Sequence, residues 1–324
     1  MKAKKIITGI ALVGAIAFTA TGCAGGGAGG GGGDGVITVG FAQTGSESGW
    51  RSANTESMKE AFSEANGFNL IFNAADNKPE AQIAAVRSFI NQGVDAIVLA
   101  PIVTDGWDDV LKEAKDANIP VILEDRTVSA SEDLYASWIG LDFKKEGETA
   151  GKWVADNFGS TPTNMVVLEG TTGSSAATDR AAGFDAAIEG TDIKVLDSQT
   201  GNFTRADGKT VMEGFLQKYG SQINLLFAHN DDMGLGALEA IKAAGMTPGT
   251  DIKIVTIDAV KDGMTALSNG EFNYIVECNP LLGEKTAEVV KKVVAGESVD
   301  KSYIVEDQAF DQEQAKKVLD SRPY

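Results

Sequence analysis

Leu225-Leu226-Phe227-Ala228-His229-Asn230-Asp231-Asp232 opens as a short apolar run and closes on polar side chains. An apolar run of this length reads as a buried strand, and the polar residues begin where its carboxyl end meets solvent. In an open α/β sheet, that edge is where ligands bind. The pattern recurs at Val121-Ile122-Leu123-Glu124-Asp125-Arg126 and at Ile254-Val255-Thr256-Ile257-Asp258. Three strand ends bearing carboxylates, an amide and a guanidinium point to one polar pocket fed by two halves of the chain.

Outward from these strands, short β-type runs alternate with amphipathic stretches from Val36 onward. The first half reads as strand Ile37–Phe41, helix Arg51–Ala65, strand Leu70–Phe72, helix Pro79–Asn91, strand Ala96–Leu99, helix Trp107–Ala117 and strand Val121–Leu123. After Ser137-Trp138-Ile139-Gly140 a second set follows. It comprises helix Lys144–Asn157, strand Met165–Leu168, helix Ser175–Ile188, strand Lys194–Leu196 and helix Arg205–Tyr219. Strand Leu225–Phe227, helix Met233–Ala244 and strand Ile254–Ile257 complete it. Strict alternation of this kind predicts parallel sheets covered on both faces, here as two similarly built Rossmann-like α/β domains. Beyond Tyr274–Glu277, helix Leu282–Val294 and strand Tyr303–Val305 return to the first domain, and helix Gln312–Leu319 ends the chain. The expected division is residues 36–139 plus 279–305 for an N-terminal lobe and 140–278 for a C-terminal lobe. Residues 306–324 form a tail near the hinge. A bilobed body with several crossings permits closure around a ligand.

Residues 1–22 read as an export signal. Lys2, Lys4 and Lys5 precede the apolar run Ile6–Ala17, which is too short for a comfortable membrane span. Ala20-Thr21-Gly22-Cys23 has the small residues before a cysteine that mark a bacterial lipoprotein, with Cys23 as the lipidated residue. Residues 23–35 are almost pure glycine, a flexible tether that holds a globular body near a membrane. With Cys23 acylated, Cys278 is the remaining thiol and no intramolecular disulfide forms. The expected address is extracytoplasmic, with membrane attachment through the lipid only. The net charge of −18 repels nucleic acid.

Several residues carry candidate chemistry. Trp50 and Arg51 sit in a strand–helix loop, where an indole can stack on a sugar's C–H face and a guanidinium can fork onto hydroxyls; core packing is the plain alternative. Asp125 and Arg126 offer an acceptor and a donor at one strand end, or else a structural ion pair. Arg180, Asn230 and Asp258 repeat that logic in the second half, and Glu277 ends a further run there. Phe203 could supply an opposing aromatic face, and Trp107 stands at another strand end. Asp231 and Asp232 read as acids that favour a helix dipole. Catalysis finds little support. His229 is the only histidine, no Gly-x-Ser-x-Gly elbow occurs, and one histidine with one free thiol cannot build a usual zinc site. No enzyme activity, metal or cofactor is expected.

Gly45-Ser46-Glu47-Ser48-Gly49-Trp50-Arg51, Gln92-Gly93-Val94-Asp95-Ala96-Ile97, Leu111–Ala117, Asn202-Phe203-Thr204-Arg205 and Ala228–Met233 together resemble the sugar-binding proteins of ABC importers in the ribose-binding class. Within that class they look most like the galactofuranose binders. The resemblance covers residues 36–324. It implies a type I periplasmic binding protein fold, with two α/β domains joined by a three-stranded hinge. It implies monosaccharide capture for an ABC permease and its ATPase, by a monomer. Carried over by position, the sugar contacts fall on Glu47, Trp50, Arg51, Asp125, Arg126, Arg180, Phe203, Asn230, Asp258 and Glu277. Ribose binders of the class have two adjacent aromatics in the first loop; Trp50-Arg51 here departs from that pattern and toward galactofuranose. A repressor with the same body would carry a basic helix-turn-helix where this chain has its export signal. A sugar or autoinducer receptor feeding a chemosensor or sensor kinase is the rival reading.

Overall fold

Apolar runs build two sheets of matching design, their central strands buried on both faces, in the computed structural model, which describes residues 35–324. The export signal, Cys23 and all of the tether but Gly35 lie outside the described residues. The first sheet contains β1 (Ile37–Gln43), β2 (Phe68–Ala74), β3 (Ala96–Leu99), β4 (Val121–Asp125) and β5 (Ser137–Leu141). The second contains β6 (Thr163–Glu169), β7 (Ile193–Thr200), β8 (Leu225–Ala228), β9 (Lys253–Asp258) and β10 (Tyr274–Glu277). Two late strands, β11 (Ser302–Val305) and β12 (Ala309–Phe310), extend one sheet each. The orders are β11-β5-β4-β3-β1-β2 and β12-β10-β9-β8-β6-β7, so the halves correspond strand for strand. All pairings are parallel except β12 on β10. The order 2-1-3-4-5 in each half puts a topological switch between β1 and β3 and between β6 and β8, where ligands gather in such sheets.

Helices α1 (Gly49–Ala61), α2 (Pro79–Gln92) and α3 (Asp108–Asp116) cover the first sheet, and α9 (Gly283–Val294) packs on α1. The second sheet carries α4 (Phe143–Phe158), α5 (Ser175–Ile188), α6 (Arg205–Tyr219), α7 (Asp231–Ala243) and α8 (Lys261–Ser268), with α10 (Gln312–Val318) against α8. The chain therefore passes between lobes three times, at β5 to α4, β10 to α9 and β11 to β12. The first helix is shorter than its pattern suggested. It stops at Ala61, and the chain turns through Gly67 at φ 85°. The expected helix at Met233 begins earlier, because Asn230 caps it by accepting a hydrogen bond from the Met233 N–H. Helix α8, only eight residues long and with Gly263 in its first turn, escaped the sequence reading.

Candidate functional site

The first loop reaches the site through helix capping. Ser48 accepts a bond from the Arg51 N–H and fixes the first turn of α1, which buries Trp50 and Arg51 together. The Trp50 indole N–H donates to the Cys278 carbonyl at 2.6 Å, and the Arg51 guanidinium lies 4.7 Å from the indole ring centroid. Arg51 also donates to Glu47 at 3.0 Å and to Asp125 at 2.6 Å. Arg126 donates to the Ile102 carbonyl at 3.2 Å and has its Nε 3.7 Å from Asp125. From the second lobe, Arg180 donates to Glu146 at 2.7 Å, to the His229 carbonyl at 2.6 Å and, at 3.5 Å, to Asp258. Both of these arginines, Arg126 and Arg180, approach the Phe203 ring. Arg126 stands 5.1 Å and Arg180 5.9 Å from its ring centroid.

Three of these positions are held with strained backbone. Asp125, Phe203 and Asp258 have φ of 61°, 63° and 129°, which side-chain-bearing residues rarely adopt. Such outliers gather where surrounding structure over-determines a functional geometry. Gly170 makes room for one of them, since a Cβ there would fall 1.9 Å from the Phe203 ring.

Together the residues line one small polar cavity between the lobes. Glu47, Trp50, Arg51, Asp125 and Arg126 line it from the first lobe; Phe143, Ala176, Arg180, Phe203, Asn230 and Asp258 line it from the second, with Cys278 at the hinge. The structure thus brings together nine of the residues singled out from sequence. Two stand elsewhere. Trp107 is 1 % exposed in the first lobe's apolar core and donates to the Val103 carbonyl at 2.8 Å. Glu277 is buried on the tail side, where it accepts from Tyr324 at 2.8 Å and Arg322 at 2.5 Å.

The electrostatics follow from burial opposed by pairing. Burial pushes the Glu47 carboxyl up, but the guanidiniums of Arg51 and Arg126 outweigh it and hold it below the usual range. Arg126 is pulled below an ordinary arginine by burial and by Arg51. Asp258 is pushed well up, by burial first, despite Arg180. Behind the wall, Glu124 accepts from Asn54 at 2.5 Å and is raised to about 8 by burial and by Asp125. Glu124 belongs to the polar strand end read from the sequence, yet it points behind the wall; Asn54 and Glu146 escaped that reading, because a polar residue in a helix carries no periodic mark of burial. Asp231 and Asp232 do more than complement a dipole: Asp231 accepts from Thr256 at 2.5 Å and from the Val260 N–H at 2.9 Å. Asp232 accepts from the Gly49 N–H at 2.7 Å. Among the described residues, no cluster of His, Cys, Asp or Glu is placed to hold a metal ion.

Two parallel sheets with paired strand ends facing a polar cavity define a solute-binding body. The chain matches the periplasmic binding protein domain over residues 39–298 and belongs to that family. It is 46% identical over 260 residues to the galactofuranose-binding protein YtfQ of Escherichia coli (strain K12), covering 79% of this chain and 81% of that one. A solved Mycobacterium smegmatis protein in complex with β-D-fucofuranose is 57% identical, with a TM-score of 0.87 over 89% of this chain and 96% of that one. The binding component of the arabinose ABC transporter from Shewanella sp. ANA-3, bound to L-arabinofuranose, is 44% identical with a TM-score of 0.85, covering 89% and 96%.

Proposed function

We propose that the protein captures a neutral monosaccharide between its lobes and delivers it to the permease of an ABC transporter, a galactofuranose-like hexose being the favoured ligand. The observation that carries this is the matched set of hydrogen-bond donors and acceptors in the cavity. Three guanidiniums, of Arg51, Arg126 and Arg180, face three carboxyl groups, of Glu47, Asp125 and Asp258. Such a wall suits an uncharged polyol, whose hydroxyls accept from the former and donate to the latter. Among the described residues, Arg51 Nη1 and Arg126 Nε are buried without partners, a demand that ligand oxygens would meet. Trp50 and Phe203 give the sugar's C–H faces apolar surface. The relatives described above bind hexose or pentose furanoses, which supports the choice of ring form.

In this reading Glu47, Trp50, Arg51, Asp125, Arg126, Arg180, Phe203, Asn230 and Asp258 touch the sugar. Binding stabilises the closed lobes by its differential affinity, the permease reads that state, and no covalent bond is made or broken. The sheets support lobes near residues 36–139 with 279–305 and near 140–278, with β5 carrying the first lobe on to Leu141 and the tail 306–324 adding β12 and α10 to the second. The signal at residues 1–22 and the glycine tether support acylation at Cys23 and an extracytoplasmic, membrane-attached monomer. A Cys23→Ser variant would then leave the membrane fraction on export. No helix of the described residues is long and apolar enough to cross a membrane.

Calorimetry tests the assignment directly. Galactofuranose and related furanoses should bind, and galacturonate should not. Arg126→Ala should weaken binding by about ten- to a hundredfold, the worth of one charge-assisted hydrogen bond, with the fold intact. Equal affinity of Arg126→Ala and wild type for the sugar would reject this site.

A further inference from the structure

One buried acid next to the cavity has no part in the lining. Glu146 sits in the first turn of α4, directly after the chain's first passage between lobes, and its side chain is 1 % exposed. Its Oε2 accepts from Arg180 Nε at 2.7 Å, and its Oε1 has no hydrogen-bond partner among the described residues. A carboxylate so placed costs several kcal/mol in lost hydration unless a cation repays it. Among the described residues, Arg180 is the cation that pairs with it.

The Arg180 backbone does not need Glu146. Helices α4 and α5 meet so closely that a Cβ on Gly147 would fall 2.1 Å from the Arg180 carbonyl oxygen, so main-chain packing already fixes where residue 180 stands. The guanidinium is another matter. Its Nη1 is spent on the His229 carbonyl, and its Nη2 has only the 3.5 Å contact to Asp258. Glu146 grips the Nε edge and leaves the Nη2 edge toward the cavity. Without that grip, Asp258 becomes the strongest anion near the guanidinium, which would swing onto it and withdraw both groups from a ligand.

We propose that Glu146 is the positioning residue for the Arg180 guanidinium, setting the second lobe's donor in its sugar-binding orientation before the lobes close. The inference rests on the sugar-binding reading of the same cavity. Both partners lie in the second lobe, so the pair exists in open and closed forms alike. Glu146 touches no sugar and acts through Arg180.

A double-mutant cycle on the full chain decides it, with galactofuranose as probe and thermal unfolding as the check on folding. Glu146→Ala should weaken binding at least tenfold. Glu146→Gln, which keeps an acceptor for Nε without the charge, should recover part of that loss, and it carries the test should the alanine variant fail to fold. In an Arg180→Ala background, Glu146→Gln should change affinity by less than about twofold, because the group it positions is gone. Wild-type affinity in both Glu146 variants would overturn the proposal while leaving the sugar reading in place. So would a loss of equal size with and without Arg180, the mark of a merely structural residue. A wild-type protein that binds no sugar would overturn the functional reading and this inference with it.

Discussion

His229 is the single histidine of the chain, and burial with the Arg180 charge beside it pushes its imidazole down to about 3. It stays neutral, with Nδ1 accepting from the Gly170 N–H at 3.3 Å. In the unfolded chain a histidine titrates near 6.5, so below that pH the unfolded state takes up a proton that the folded state refuses. Stability is therefore lost as pH falls from about 6.5 toward 3. At pH 5 the loss from this residue is about 2 kcal/mol at 1.36 kcal/mol per pH unit. His229→Gln should flatten that limb of a urea-unfolding series taken between pH 7 and pH 4. An imidazole resonance that titrates near pH 6.5 in the folded protein would contradict the argument. At this scale the sequence was informative where a residue's place on its strand limits its surroundings. Asp125 and Asp258 close buried runs, and both reach the cavity. Trp107 was indistinguishable from them, since an aromatic after a strand packs into a core or faces a cleft according to neighbours that lie far off in sequence. Glu146 was invisible for the reverse reason: only the approach of α5 turns a first-turn acid into a buried one.

Secondary elements were the most legible part of the chain, because continuous apolar runs and 3.6-residue periodicity arise from the two-faced burial that a parallel sheet demands. The predicted spans Ser175–Ile188 and Arg205–Tyr219 coincide with α5 and α6. What periodicity could not reveal is how near the helices come. A Cβ on Gly183 would sit 2.0 Å from the Lys144 carbonyl oxygen, the counterpart across the same interface of Gly147 against Arg180. Gly183→Ala should thus force α4 and α5 apart and cost about 3 kcal/mol in chemical denaturation, as overpacking of rigid main chain does. Gly214, exposed on α6 with nothing within 4 Å of the place a Cβ would take, is the control. There alanine should stabilise by about 0.5–1 kcal/mol through helix propensity. Equal effects at the two glycines would show that propensity, and not the close approach, governs both.

The whole molecule is held shut by bonds that involve no ligand. The Gly49 N–H donates to Asp232 at 2.7 Å, the Thr104 N–H to the Gly173 carbonyl at 2.9 Å, and the Thr127 N–H to Ser175 at 3.1 Å. Each joins the first lobe to the second, and their donors come from the start of α1 and from two separate loops. A protein whose lobes bond directly must balance those contacts against hinge freedom, because a ligand's apparent affinity falls with the share of molecules able to close. Asp232 is the most telling of the three. It accepts from Arg205 at 3.2 Å as well as from Gly49, and it does not line the cavity. Asp232→Ala should therefore weaken sugar binding without removing any sugar contact, by about 1 kcal/mol or roughly fivefold for one cross-lobe hydrogen bond. Small-angle scattering should show a larger radius of gyration for the sugar-free variant than for the sugar-free wild type, and the two should converge when sugar saturates both. If scattering and affinity both stay at wild-type values, the Gly49–Asp232 bond does not contribute to closure, and the burden falls on the Thr104 and Thr127 contacts across the cleft.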